Sequence, residues 1–147
     1  MFTHMLIPLD GSVLSKQILP YAKQMAIRMG CDVTFMQVME LKLVHSYELD
    51  MVGAANMIRV ARDEATHHLN DLVEEFSLAG IKATAVVKQD LDPAESILQY
   101  VAQHPIDVIA MTTHGRSGLK QLFLGSVANR LVNASHVPVV LVRPESA

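Results

Sequence analysis

Short apolar runs alternate with helical patterns along this chain from one end to the other, and that alternation most restricts what it can fold into. His4 to Leu9 (HMLIPL) is the first run, with Pro8 near its end, where a residue without an amide proton is tolerated in a strand. Asp10, Gly11 and Ser12 make a turn, after which Leu14, Ile18, Ala22, Met25 and Met29 step by three and four until Gly30 stops them. Asp32 to Met39 (DVTFMQVM) follows at once as a second strand, rich in apolar and β-branched residues. Glu40 to Val52 has no sustained period. Beyond it, Ile58, Ala61, Ala65, Leu69, Leu72, Phe76 and Ala79 trace a long one-sided helix that ends at Gly80. Ile81 to Lys88 is the third strand. Asp92, Pro93 and Glu95 then read as an N-cap, a first-turn proline and a capping-box acid for a third helix reaching about Gln103. Ile106 to Met111 is the fourth strand, Val127, Leu131 and Ala134 mark a fourth helix, and Val137 to Val142 (VPVVLV) is the fifth strand.

This order predicts an α/β fold: a single doubly wound, mostly parallel five-stranded sheet with helices on both faces, of Rossmann-like type. At 147 residues the chain suits one domain spanning 1–147, with half of its residues hydrophobic and enough bulk to bury a sizeable core. In such sheets ligands sit beyond the carboxyl ends of the strands, near the point where strand order reverses. The turns after strands one, two and four all emerge on that edge, so Asp10, Val38 and the segment after Met111 converge there from distant parts of the sequence.

Charge and cysteine content narrow the function classes. Twelve Lys or Arg stand against fifteen Asp or Glu, a net charge of −3, so there is no global attraction to nucleic acid or anionic membranes and any anion site must be local. The single Cys31 cannot form an intrachain disulfide, and it reads as a small buried side chain at the start of a strand. The start of the sequence, MFTHMLIPLDGS, lacks a basic region and long apolar stretch, and no apolar run approaches the roughly 20 residues needed to span a bilayer. The expected compartment is the cytoplasm, without membrane insertion.

The stretch with the most chemical content is Val108 to Arg130, VIAMTTHGRSGLKQLFLGSVANR. A strand runs into a turn carrying Gly115 and Gly118, with Arg116 and Lys120 nearby, and Gly125 and Ser126 open a helix. Glycine lets backbone amides approach an anion, and a first helical turn leaves its own amides unpaired, so this arrangement suits phosphate. A glycine-rich turn that only ends a strand and caps a helix is the plainer alternative. Neither GxxxxGK with Ser or Thr nor GxGxxG occurs. His114 lies inside the loop, where it either packs or serves phosphate contact or proton transfer. Asp63, His67 and Asp71 share one face of the long helix, as do Glu64 and His68; opposite an apolar stripe, they read as a solvated face and no metal site is expected. Ala54 to Met57 and the segment before it, with Met39, Met51 and Met57, read as core or loop packing, the alternative being an adaptable lid or partner surface.

Over essentially its whole length the chain resembles the universal stress protein (UspA) family, in IPLDGS, VTFMQV, DVIAMTTHGRSGLKQLFLGSVANRLV and VPVVLV. In nucleotide-binding members the signature is a glycine, two residues, a glycine, nine residues, then glycine followed by Ser or Thr. Gly115, Gly125 and Ser126 keep that spacing, whereas Thr112 stands in place of the first glycine; its β-branch favours extended geometry and keeps a ligand farther from the backbone. The resemblance implies an adenine nucleotide α-hydrolase-like fold. It implies Pro8, Asp10 and Val38 at the adenosine end, and Thr112, Gly115, Arg116, Gly125, Ser126 and Val127 around ribose and phosphates. The implied ligand is ATP, or ADP or AMP, with Mg²⁺ or Mn²⁺ bridging phosphates. For Asp10 alone, a turn or helix-cap role is the alternative to a ribose contact. The family also implies a homodimer through Val137 to Val142, which otherwise leave an apolar edge open. Three functions follow in order: a regulatory, stress-response protein that binds ATP; a slow ATP hydrolase or nucleotidyl transferase; and a dimeric interaction module that takes no nucleotide.

Overall fold

A computed structural model describes residues 1–40, 51–114 and 124–145. The chain runs β1 (His4–Leu9), a 3-10 turn (Ser15–Ile18), α1 (Leu19–Met29), β2 (Asp32–Glu40), α2 (Met51–Leu78), β3 (Ala83–Asp90), α3 (Pro93–Gln103), β4 (Val108–Thr112), α4 (Ser126–Ala134) and β5 (Val139–Val142). The five strands form one sheet in the order β3-β2-β1-β4-β5, and every neighbouring pair is parallel. The expected fold class is therefore observed. Strand order reverses between β1 and β4.

Strand alternation sorts side chains to the two faces. Met5, Ile7, Val33, Phe35, Val108 and Ala110 pack with Ile18, Ala22 and Ala26 and with Leu69, Leu72 and Phe76 of α2. Leu6, Met36, Ile109 and Met111 pack with Ile97 and Val101 of α3 and with Ala128 and Leu131 of α4. Phe35 and Phe76 meet edge to face at a centroid distance of 4.8 Å, an arrangement the ring quadrupoles favour.

The stops are local. Gly30 (φ 66°) and Gly80 (φ 81°) both take the left-handed conformation that closes a helix at little cost in glycine. Ile81 donates its amide to the Phe76 carbonyl at 3.0 Å, so it belongs to the terminator of α2, and β3 starts at Ala83 rather than at the expected Ile81. At the other end α2 begins at Met51, well before the apolar period that starts at Ile58. None of residues 51–64 is buried, so the turns ahead of Ile58 have no core-facing stripe to announce them, and the stripe residues Ile58 and Ala61 are themselves half-buried and exposed, respectively. Met51 and Met57 are exposed, which corrects their reading as core or loop packing; Met39 is half-buried at the end of β2.

Pro8 has a positional consequence. Thr3 accepts from Asp32 and His4 from Asp107, so alternate residues of β1 turn toward β2 and toward β4, and Pro8 falls on the β4 side. Its missing amide removes a ladder bond there. Pairing of β1 with β4 covers only Met5↔Val108 and Leu6↔Ile109, whereas pairing with β2 runs on to Leu9↔Gln37. The two strands part at the reversal point of the sheet, and a gap opens at their carboxyl ends.

Candidate functional site

A cavity of about 250 Å³ occupies that gap. Pro8, Asp10, Val38, Thr112, Gly125, Ser126 and Val127 all line it, so seven of the nine residues selected from sequence lie around one hollow. The other two, Gly115 and Arg116, lie outside the described residues, as do Gly118 and Lys120. Ser15, Met36, Glu40, Pro93, Ile97, Met111, Thr113 and His114 complete much of the lining. Of these only His114 stood out in the sequence. Apart from Met36 in mid-β2 and Ile97 within α3, the remainder share one legible trait, a place at the carboxyl end of a strand or in the turn or helix start that follows, but nothing in their own spacing selects them.

Asp10 follows β1 directly and shapes the next turn. Its Oδ1 accepts from the Ser12 amide at 2.9 Å and from the Ser12 hydroxyl at 2.5 Å, while Gly11 between them has φ 83°. Ser15 continues the turn, donating its hydroxyl to the Ser12 carbonyl at 2.9 Å. The turn role weighed for Asp10 is thus observed. A carboxylate has acceptor sites on two oxygens, so this role leaves it the capacity to accept from a ligand as well.

Thr112 is buried at the end of β4, paired in register with Val142, and its hydroxyl donates to the His114 carbonyl at 2.6 Å. No non-glycine residue among those described has a positive φ. The backbone at Thr112 is therefore ordinary strand, and a β-branched residue sits there without strain.

Gly125 is required for a different reason from the expected one. Its φ of −59° is open to any residue, but a Cβ there would lie 3.1 Å from the Thr113 carbonyl oxygen and 3.7 Å from the His114 Cα. The Gly125 amide donates to Thr113 at 2.7 Å. This corrects the expectation that the Gly125 amide is offered to an anion. Asn129 makes the first intrahelical bond, to the Gly125 carbonyl at 2.9 Å, so the amides at the mouth of α4 are those of Ser126, Val127 and Ala128. All three residues line the cavity, where the helix dipole favours negative charge.

Two further contacts hold the frame. Asp92 caps α3 by accepting from the Glu95 amide at 3.2 Å, and Arg130 of α4 donates to Asp92 at 2.8 Å and to Glu95 at 3.1 Å. The Arg130 hydrogen bond, with the Glu95 amide, holds the Asp92 carboxyl below the usual aspartate range. On the long helix His67 and Asp71 are exposed and 3.8 Å apart, as a solvated face requires. Among the described residues no group of three or more His, Cys, Asp or Glu is placed to hold a metal ion, and no helix is long and apolar enough to cross a membrane.

The universal stress protein family model matches residues 1–143. Universal stress protein MJ0531 of Methanocaldococcus jannaschii is 27% identical over 149 residues, covering 97% of this chain and 83% of its own length. A universal stress protein of Thermus aquaticus, from the 3′ region of a QAH/OAS sulfhydrylase, is 30% identical over 145 residues, covering 97% of this chain and all of its own. Among solved structures, UspA of Lactobacillus plantarum has the same fold at a TM-score of 0.83 and 21% identity, with 97% of this chain and 98% of that one covered. A family member from Arabidopsis thaliana, solved with AMP bound, aligns at a TM-score of 0.71 and 18% identity over 98% of this chain and 93% of its own. A universal stress protein in complex with cAMP aligns at 0.65 and 14% identity, with 98% of each chain covered. With its parallel sheet, its gap at the strand reversal and a family match over nearly every residue, the chain belongs to the universal stress protein family.

Proposed function

We propose that this protein binds an adenine nucleotide, with ATP as the leading ligand, in the cavity between β1 and β4. The observation that carries this reading is the juxtaposition of the Asp10 carboxylate with the first turn of α4 across one hollow. A carboxylate suits ribose hydroxyls, and unpaired amides at a helix start suit phosphate. Val38 and Met36 of β2 offer the apolar wall that a purine needs. Gly115 and Arg116 belong to the same proposed site by the family signature. The relatives solved with AMP and with cAMP support the nucleotide class.

Mg²⁺ or Mn²⁺ would travel on the phosphates, which such ions bridge readily, rather than in a protein cage. Binding is favoured over turnover because hydrolysis needs a dedicated base positioned for water, and beyond Arg116 and His114 the loop sequence offers none. The protein is read as a cytoplasmic, single-domain regulator of a stress response.

A homodimer through the last strand fits the sheet. β5 is an edge strand, and its ladder bonds to β4 run through Pro138 and Val142, so the backbone of Val139 and Leu141 faces outward. Native mass spectrometry of the purified protein tests both points at once. A co-purified adenine nucleotide on a dimer supports the reading; a monomer that takes up no ATP, ADP or AMP when supplied would end it.

A further inference from the structure

Two helices, α3 and α4, open onto the cavity, and their first turns differ. The mouth of α3 is already closed to an anion. Pro93 has no amide proton, and the amides of Ala94 and Glu95 turn to the Asp92 carboxylate, that of Glu95 at 3.2 Å. The mouth of α4 has no side-chain cap and no acidic residue in its first turn. The phosphate end of the cavity therefore lies at α4, and the Asp92 and Glu95 carboxylates stand at the neighbouring helix start.

Arg130 bridges the two. It comes four residues after Ser126, on the same face of α4 and about 6 Å further along the axis, and helical side chains lean back toward the amino end. One guanidinium nitrogen donates to Asp92 Oδ2 at 2.8 Å and the other to Glu95 Oε2 at 3.1 Å. Asp92 divides its oxygens, Oδ1 serving its own helix and Oδ2 serving Arg130. A fork on two carboxylates has a defined geometry that a lone surface pair lacks, and it offsets one of their two negative charges. All three side chains are about half exposed, so salt screens the charge that remains.

We propose that Arg130 is a positioning residue for the phosphate end of the site: by holding the Asp92 and Glu95 carboxylates in its fork, it keeps their charge from opposing an anion at the mouth of α4. It acts through those two residues and does not touch the ligand. This rests on the nucleotide reading above and adds to it a residue outside the cavity on which the nucleotide depends and the nucleoside does not.

The test compares AMP with adenosine by calorimetry at about 0.01 M and about 1 M ionic strength, where charges are felt over roughly 30 Å and 3 Å. The proteins are the wild type, Arg130→Ala, and a triple variant that adds Asp92→Asn and Glu95→Gln. Arg130→Ala is expected to weaken AMP about three- to tenfold at the lower salt, the size of one uncompensated charge acting at roughly 10 Å on a phosphate dianion in a dielectric close to that of water. Adenosine should bind unchanged, and the loss should disappear at the higher salt. The triple variant removes the acids that Arg130 restrains while Asn still caps α3, and should bring AMP back to wild-type affinity or better. AMP affinity unchanged in Arg130→Ala, an equal loss for adenosine, a loss that persists at high salt, or no recovery in the triple variant would each overturn the role while leaving nucleotide binding intact. A wild-type protein that binds neither ligand overturns both readings.

Discussion

The amide of Gly125 donates to the carbonyl of Thr113 at 2.7 Å, joining the start of α4 to the end of β4. The bond sets how closely the helix mouth approaches the strand, and the absence of a Cβ at Gly125 permits it. In Gly125→Val the added atoms meet a backbone oxygen that cannot rotate away, so the helix start must shift, a strain of about 1–3 kcal/mol. The expected result is a folded protein, by circular dichroism, in which calorimetry no longer detects adenine nucleotide binding. Unchanged affinity would remove the helix mouth from the site.

Asp10 serves its turn through an acceptor oxygen and is proposed to serve ribose through its carboxylate charge. Asp10→Asn keeps an acceptor for Ser12 and loses the charge, so melting temperature should hold while nucleotide affinity falls about tenfold, the cost of one charge-assisted hydrogen bond. Asp10→Ala loses both and should also melt lower. Equal affinities for Asp10→Asn and the wild type would confine Asp10 to the turn.

The Thr112 hydroxyl satisfies a buried carbonyl. Thr112→Val keeps the shape and removes the donor, and is expected to cost about 1–3 kcal/mol in urea unfolding, whereas Thr112→Ser should stay close to wild type. A Val variant as stable as the parent would show that the bond contributes nothing to the loop.

Asp107 answers to pH. Burial opposes its ionisation, but the Thr3 and His4 amides, the Thr3 hydroxyl and the nearby His4 outweigh it and hold its pKa below the ordinary value. A depressed carboxyl contributes stability above its unfolded pKa and loses it as pH falls through the lower, folded one. The melting-temperature gap between wild type and Asp107→Asn should be widest near neutrality and close as pH drops below about 4. A gap that is constant with pH would mean that ionisation is not what Asp107 contributes.

Phe76 is fully buried against Phe35 on the sheet face opposite α3 and α4. Phe76→Ala should cost about 3–5 kcal/mol of stability. Nucleotide affinity of the fraction that remains folded should be unaltered, since the lining residues of helical origin come, Ser15 of the 3-10 turn apart, from α3 and α4; a large loss of affinity would reveal coupling across the sheet.

Much of this fold is legible in the residues because its signals are local. Gly30 and Gly80 stop helices through their own backbone freedom, Asp92 caps a helix three residues from its partner Glu95, and the apolar steps from Ala65 to Phe76 repeat with the helical period. Where burial is lacking, so is the signal: residues 51–57 at the start of α2 are not buried and show no period. In the site, Asp10, Gly125 and Ser126 stand out by residue type and spacing. Glu40, Met36 and Ile97 do not, since an acidic or apolar residue at those positions looks like any other of its kind.

The sequence by itself determined the alternation of elements, the parallel sheet they imply, and the edge on which a ligand site must lie, all from periodicity and from residues that act on their own backbone. Only the tertiary structure decided that β1 and β4 part beyond Leu6, that Asp10 faces the mouth of α4 across the gap, and that the Gly125 amide is given to Thr113 and not to a ligand. Those relations join residues as much as 116 positions apart, as Asp10 and Ser126 are, and no local pattern encodes the distance between them.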